Sequence, residues 1–268
     1  MVESVPPVAG AALVFLVGGV ILALPARRRA RPTGPQVRRA ALTGLLLLGG
    51  QGLATVALTE VSASLVAILI ASNALWAAIF ARFAGTPLDA ATMLRLLAGF
   101  AGIVLVLASA PGAAIGGKTA AVVAALLSSV LWALGTVAAA RGRSLPRDPL
   151  VTGSVQLLAG GGALLALAAA AGQLAPGAWE DASAGSLAAA GYLLAFDSLA
   201  GFLLYTSLLR AAPLPLVGTY AYATPVIAVA IGVVALDERL SAPAVAGAAV
   251  ALLAVGAQLR ARPATASA

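Results

Sequence analysis

Long apolar segments separated by short polar turns run along the whole chain. A helix needs about 20 apolar residues to cross the hydrocarbon core of a bilayer. Segments of that length lie at 5–26, 39–58, 61–82, 92–111, 119–140, 149–172, 184–209, 212–236 and 242–260. They are too long for the short alternating strands of a membrane β-barrel. The pattern therefore predicts an all-α polytopic membrane protein with about nine transmembrane helices.

The order of apolar helices and turns recurs after 152 residues. At that offset Ala71-Ser72-Asn73 falls on Ala223-Thr224-Pro225, and both copies read as an apolar helix, a turn and another apolar helix. An odd number of spans separates the copies, so the second copy is inverted relative to the first. Inverted repeats are typical of secondary transporters, which expose one midplane site to alternate sides of the membrane.

The two halves of the chain differ in their number of predicted spans. Residues 1–111 hold four spans, residues 119–260 hold five, and residues 261–268 form a tail. At the offset of 152 residues, the partner of segment 119–140 would lie wholly before Met1. We therefore expect a ten-span architecture that lacks its first helix. A natural nine-span variant and a start site farther upstream both fit this expectation.

Composition excludes several classes of function. Hydrophobic residues make up 62% of the chain and charged residues only 9%, against about 25% charged residues in a soluble domain. The chain has no cysteine and no histidine, which excludes disulfides, thiol chemistry and imidazole metal sites. The motifs HExxH and GxSxG are also absent from the sequence. We expect a protein that is not an enzyme and that needs no cofactor or metal.

The distribution of basic residues predicts the orientation. Of the 16 basic residues, 14 fall in one set of alternate loops, at 27–39, 82–95, 141–147, 210 and 260–262. The positive-inside rule places these loops in the cytoplasm. The C-terminus is then cytoplasmic, and the net charge of +7 is explained by helix ends without a nucleic-acid partner.

The second half has a characteristic set of residues within its helices and in the turn between them. Thr224-Pro225 lies in the middle of one predicted helix, Glu238 in the turn after it, and Gly247 near the start of the next helix. This arrangement resembles the EamA repeat of the drug/metabolite transporter superfamily. The resemblance implies two inverted five-helix repeats around a central substrate cavity, usually in an exporter.

The first half resembles the same repeat less closely. Ser72-Asn73 stands where the repeat has Thr-Pro, Thr86 stands where it has Glu, and Gly102 fits the later glycine. The expected conformational or structural residues are Pro225, Glu238, Gly247 and Gly102. For Glu238, a helix cap or an ion pair with Arg239 is the plainer interpretation.

Asp197 is the most informative single candidate for a functional residue. It lies near the middle of segment 184–209, where a carboxylate costs about 3 kcal/mol or more unless it faces a cavity or a partner. The position predicts a proton carrier or a contact for a cationic group of the substrate. A hydrogen-bonded acid that packs helices together is the alternative.

A second group of candidates surrounds Pro225. A proline within a helix removes one backbone hydrogen bond, which a membrane tolerates where the break lines a cavity or neighbours satisfy the freed carbonyl. Asn73 joins the group because the repeat places it on Pro225. The predicted substrate contacts beside Asp197 are Tyr220, Tyr222, Thr224 and Asn73. An ordinary kink with aromatic packing is the alternative interpretation.

These patterns predict a secondary transporter, and the resemblance adds export of a small metabolite or drug-like molecule across a bacterial inner membrane. A lipid-linked flippase of the same superfamily and a non-transporting membrane scaffold or relic are the alternatives. The expected partners are a small-molecule substrate and the lipid bilayer. Protons as the coupling ion and a homo-oligomeric state stay open.

Overall fold

The computed structural model describes residues 4–109, 118–141, 145–175, 177–227 and 241–261. Within these ranges, eight helices are long and apolar enough to cross a membrane. They coincide with eight of the nine predicted spans, so the prediction of an all-α polytopic membrane protein is confirmed. The other predicted span, 212–236, lies partly outside the described residues.

The helices follow one another with short connections. In chain order they are α1 (Pro7–Ala26), α2 (Gly34–Ala57), α3 (Ala63–Ala71), α4 (Asn73–Phe83), α5 (Ala90–Ala108), α6 (Thr119–Ala140), α7 (Pro149–Ala170), α8 (Ala184–Tyr192), a π-helix (Leu193–Gly201), α9 (Phe202–Ala211), α10 (Leu214–Val217), α11 (described over 220–227) and α12 (Ala242–Arg260). Helices α3 and α4 share one span, and α8, the π-helix and α9 share another.

Five of these helices begin at side-chain caps that the sequence encodes. A side-chain oxygen that accepts a hydrogen bond from an N–H of the first turn satisfies a donor that the helix itself cannot. The residues that do so are Ser62, Asp89, Asp148, Ser183 and Ser241. Helix α1 has no such cap of its own. Instead, the Gln173 side-chain oxygen accepts from the N–H groups of Val8 and Ala9, at 3.0 Å each.

The chain folds into two compact units, and each unit takes helices from both halves of the sequence. Unit 1 comprises Met1–Thr59 and Leu134–Ala211, and unit 2 comprises Glu60–Ala133 and Ala212–Ala268. Helix α6 contributes to both units. The predicted sequence halves are therefore interleaved within the compact units.

In unit 1, α1 packs closely against α7. A Cβ added at Gly19 would lie 3.0 Å from the backbone nitrogen of Leu158, and one added at Gly161 would lie 3.0 Å from that of Leu16. Higher residue numbers in α1 thus meet lower numbers in α7, so the two helices are antiparallel. Glycine at both contacts lets the backbones approach each other, as small residues do in membrane helix pairs.

In unit 2, α5 and α12 form the corresponding pair. A Cβ added at Gly102 would lie 2.7 Å from the carbonyl oxygen of Gly247. Nearer the ends of the pair, Arg95 Nε donates to Gln258 Oε1 at 2.7 Å. These helices also run antiparallel, as the last helices of two inverted copies should.

The two pairs differ in their offset along the sequence. Helices α5 and α12 each have 19 residues, and both their first and their last residues are 152 residues apart. Helices α1 and α7 begin at Pro7 and Pro149, which are 142 residues apart. The offset of 152 residues therefore holds at the end of the repeat but not at α1, because the connection after α7 is longer than the connection after α1.

Candidate functional site

Asp197 lies within the π-helix, in the middle of the span Ala184–Ala211. Its side chain is exposed, and no hydrogen bond or ion pair joins its carboxylate to any other residue in the described ranges. The N–H of Phe202 donates to the backbone carbonyl of Asp197, five residues earlier, which is the bonding pattern of a π-helix. π-Helical turns are rare and occur frequently at functional sites.

The residue after Asp197 anchors the π-helix in unit 1. Ser198 is fully buried, and a Cβ added at Gly18 of α1 would lie 3.0 Å from the Ser198 Cβ. The Ser198 hydroxyl has no hydrogen-bond partner among the described residues. Two consecutive residues thus have opposite environments, because Asp197 is accessible while Ser198 is held against α1.

Asn73 and Tyr220, two predicted substrate contacts, meet in unit 2. The Asn73 amide donates to the Tyr220 hydroxyl at 3.3 Å. Asn73 is 4% exposed, and Tyr220 is half-buried. This contact joins the first residue of α4 to the start of α11, so the structure brings together one candidate from each sequence copy.

The span that contains Asn73 is interrupted immediately before it. Helix α3 ends at Ala71 and α4 begins at Asn73, with Ser72 between them. The Ser72 hydroxyl donates to the carbonyl of Leu69 at 2.6 Å and lies 2.8 Å from the hydroxyl of Ser129. Side chains thus supply hydrogen bonds at the interruption, which is what the hydrocarbon core demands of an irregular backbone.

The candidates that follow Tyr220 have different environments. Tyr222 is 1% exposed and belongs to an apolar cluster with Leu96 and Ile103, where a Cβ added at Gly99 would lie 2.6 Å from its ring. Thr224 is exposed, and its hydroxyl donates to the carbonyl of Tyr220 at 2.9 Å. The structure therefore directs Tyr222 into the core of unit 2 and leaves Thr224 accessible.

Pro225 lies half-buried within the helical residues 220–227. The interruption of this part of the chain falls earlier, at Gly218 and Thr219 between α10 and α11. In the other copy the interruption is at Ser72, which the repeat equates with Thr224. The two copies are thus broken at different repeat positions. Glu238 lies outside the described residues.

Comparison with known proteins establishes the family. The model of the EamA-like transporter family matches residues 1–108 and 119–257. The chain belongs to this family. It is 32% identical over 244 residues to a protein named Uncharacterized inner membrane transporter YedA from Escherichia coli strain K12, with 90% of this chain and 77% of that protein covered. The same values hold for YedA of Escherichia coli O157:H7.

A solved structure supports the fold of this EamA-like transporter. A protein known from a crystal structure is 23% identical to the chain and superposes with a TM-score of 0.79, over 96% of this chain and 90% of its own. At that identity the likeness concerns the fold alone. The family match and the likeness to YedA make the chain a membrane transporter.

The hydrogen-bonded pair of Gln156 and Thr43 could not have been predicted from the sequence of this EamA-like chain. Gln156 is fully buried, and its amide donates to the Thr43 hydroxyl at 2.9 Å. A Cβ added at Gly44 would lie 2.4 Å from the Gln156 carbonyl oxygen. The glycine indicates close packing, but only the structure shows which helix approaches it.

The arginine-rich loops of unit 1 meet at one end of that unit. Arg29 pairs with Asp148 at 3.3 Å, and Arg210 donates to the Arg147 carbonyl at 2.6 Å and to the Thr152 hydroxyl at 2.7 Å. The loop after α1, the loop after α6 and the end of α9 therefore lie together. This is the arrangement that the predicted topology requires of alternate loops.

Proposed function

We propose that this transporter exports a small metabolite or drug-like molecule across a bacterial inner membrane by alternating access. The antiparallel helix pairs of both units support the proposal, because inverted repeats allow a midplane site to open to either side. The basic end of unit 1 would then face the cytoplasm, together with the C-terminus.

The main observation that supports the proposal is the exposed carboxylate of Asp197. A charge in the middle of a span costs about 3 kcal/mol or more unless water or a partner compensates it. No partner within the described ranges reaches Asp197, and we infer that a water-filled cavity or an exchangeable ion compensates its charge. Either is expected of a transport site, whereas an acid that only packs helices would be hydrogen-bonded within them.

In unit 2, the uncharged candidates are proposed as substrate contacts in their own right. The Tyr220 hydroxyl accepts a hydrogen bond from Asn73. The exposed hydroxyl of Thr224 lies one helical turn away. These groups would contact a substrate by hydrogen bonding. Tyr222 could join them only if the core of unit 2 opened.

The test is flux through purified protein in vesicles, with a panel of amino acids, amines and cationic drugs. The Asp197→Asn variant preserves the shape of the side chain but cannot carry a charge or release a proton. We expect its transport to fall to the vesicle background while its protein level stays normal. The Asp197→Glu variant, which retains the carboxylate, should keep part of the flux.

Two outcomes would overturn the proposal. Full flux through Asp197→Asn, with unchanged pH dependence, would remove Asp197 from the mechanism. Absence of flux for every panel member, together with flipping of a lipid-linked substrate in the same vesicles, would favour the flippase. A reporter fused to the C-terminus, which we expect to be active only in its cytoplasmic form, tests the orientation separately.

A further inference from the structure

In the span that contains Asp197, the buried face of the helix before the π-helix is not continuous with the buried face after it. After it, the buried positions recur every three or four residues, at Ser198, Phe202, Thr206 and Leu209. In an unbroken α-helix this face would continue back to Leu187. Leu187 is instead 56% exposed, and its neighbour Ser186 is buried. A helix with bonds between residues five apart turns less per residue than an α-helix, and the π-helix thereby joins the two faces.

The direction of Asp197 is set where the π-helix meets α1. Ser198 follows Asp197 directly and is packed against Gly18. A Cβ added at Gly18 would lie 3.0 Å from the Ser198 Cβ. Rotation of this part of the helix would drive the Ser198 side chain out of its buried position. Gly18 thus fixes Ser198, and Ser198 fixes the direction of the neighbouring carboxylate.

Gly201 accommodates the π-helical turn itself. A Cβ added there would lie 2.8 Å from the carbonyl oxygen of Phe196, five residues earlier. Real Cβ atoms essentially never approach another atom so closely. Because the obstacle is backbone of the same turn, no side chain can move aside. A residue larger than glycine at this position must therefore distort the π-helix.

We infer that the π-helix Leu193–Gly201 is a positioning device for Asp197, and that Gly201, Gly18 and Ser198 are its positioning residues. This inference rests on the proposed role of Asp197 in transport. The π-helix lets the first part of the span keep its packing while the second part turns Asp197 to an accessible direction. Replacing Gly201 should leave the carboxylate in the chain but turn it away from the transport pathway.

The absence of cysteine from the sequence makes a direct test available. The Asp197→Cys variant has a single thiol, and its rate of reaction with a membrane-impermeant thiol reagent reports access of water to that position. We expect measurable labelling in vesicles. Adding Gly201→Ala should slow the labelling about tenfold, the population change that corresponds to ~1.4 kcal/mol of differential strain.

Gly191→Ala is the matched control in the same span, because an added Cβ there has no heavy atom within 4 Å. It should leave the labelling rate unchanged. Gly18→Ala is a second, milder variant for the case that Gly201→Ala does not accumulate in the membrane. Its methyl group would press on Ser198 from the side of α1, and the labelling rate should fall by a smaller factor.

The outcomes separate this inference from the proposed function. If the thiol of Asp197→Cys does not react at all, the position is not accessible to water and the proposed role of Asp197 fails. If it reacts, and Gly201→Ala and Gly18→Ala both leave the rate unchanged at normal protein level, the role of Asp197 stands and the positioning role of the π-helix is overturned. A slower rate in both variants, with Gly191→Ala unaffected, supports the inference.

Discussion

The two units interrupt a membrane span in different ways. Unit 1 does so with a π-helix whose Asp197 is charged when ionised, accessible and without a partner in the described ranges. Unit 2 does so with a break at Ser72, where neutral side chains hydrogen-bond one another across helices. A satisfied polar group rigidifies its surroundings, while an unsatisfied accessible carboxylate is poised to accept a ligand. The comparison supports the proposal that charge recognition lies in unit 1, while unit 2 has the hydrogen-bonded break.

This division predicts which changes damage the fold and which damage transport. Substitutions at the glycine contacts between α2 and α7 or between α5 and α12 should act on folding. Substitutions at the break in unit 2 should have moderate effects on folding and on transport. Asp197 should act on transport alone, as in the flux experiment above.

The largest effect on folding is expected for Gly44→Ala in unit 1. The added Cβ would lie 2.4 Å from the carbonyl oxygen and 2.5 Å from the Cα of Gln156, and backbone atoms cannot move aside as a flexible side chain can. We expect a loss of about 3 kcal/mol or more, at the upper end of overpacking costs. The folded fraction in mild detergent, measured by size-exclusion chromatography, checks this.

Gly49→Ala in the same helix is the control for Gly44→Ala. An added Cβ at Gly49 has no heavy atom within 4 Å, and alanine favours helix by about 1 kcal/mol over glycine. The control should therefore be as stable as the parent or more stable. Equal behaviour of the two variants would contradict the close packing of α2 on α7.

A somewhat smaller loss is expected for Gly102→Ala in unit 2. Its Cβ would lie 2.7 Å from both the Gly247 carbonyl oxygen and the Ala251 nitrogen. We expect a loss of about 1–3 kcal/mol, seen as a lower midpoint of thermal unfolding in detergent. Gly256→Ala on α12, where nothing lies within 4 Å, should be neutral. If Gly102→Ala were also neutral, the two units would not share the same kind of helix crossing.

Sequence predicted the helices of this fold well because apolar length reports membrane spans directly. The repeat offset of 152 residues reproduces α12 from α5 residue for residue. The same offset misplaces the partner of α1, because connection lengths between helices vary without affecting the packed pair. Local composition thus fixed the spans, and the structure was needed to show how the two copies pair.

The candidate site was less accessible to sequence reasoning. Asp197 could be singled out because a carboxylate in a span is expensive. The π-helix around it could not be predicted from the sequence, because a glycine such as Gly201 permits this turn but does not by itself indicate it. Tyr222 looked equivalent to Tyr220, two residues away, until the structure placed one in the core and the other against Asn73.

A moderate effect is expected at the Asn73–Tyr220 contact. Loss of one hydrogen bond costs about 0.5–1.5 kcal/mol, and Asn73→Ala leaves space in a buried position. We expect a lower unfolding midpoint and a partial loss of flux, much smaller than the loss in Asp197→Asn. Tyr220→Phe retains the ring and removes only the hydroxyl, so it should be milder in stability.

One outcome of these variants would reverse the roles proposed for the two units. If Asn73→Ala abolished flux at normal stability while Asp197→Asn retained it, recognition would lie in unit 2. If both variants of the contact changed stability and flux in proportion, the contact would serve rigidity, as the comparison holds.

The smallest effect concerns Asp89, an acid of unit 2 outside the membrane spans. Hydrogen bonds from the Thr92 side chain and from the Thr92 N–H, the latter at 2.7 Å, lower the pKa of this carboxyl from its ordinary value of 3.8. A lowered folded-state pKa means that the stabilisation is complete above the unfolded-state value and is lost as the pH falls through the folded-state value. Asp89 should therefore stabilise the cap of α5 at neutral pH and lose that contribution only in acid.

The Asp89→Asn variant isolates this titration, because asparagine also caps helices well but does not ionise. Unfolding midpoints of the parent and the variant should differ most at neutral pH and converge in acid below the ordinary pKa. Parallel curves would contradict the role of ionised Asp89. Flux should be the same in both proteins at neutral pH, because this exposed carboxylate is already bound to the backbone it caps. The contrast with Asp197 then depends on partners and position, since Asp89 lies outside the membrane spans and already accepts hydrogen bonds at a helix start.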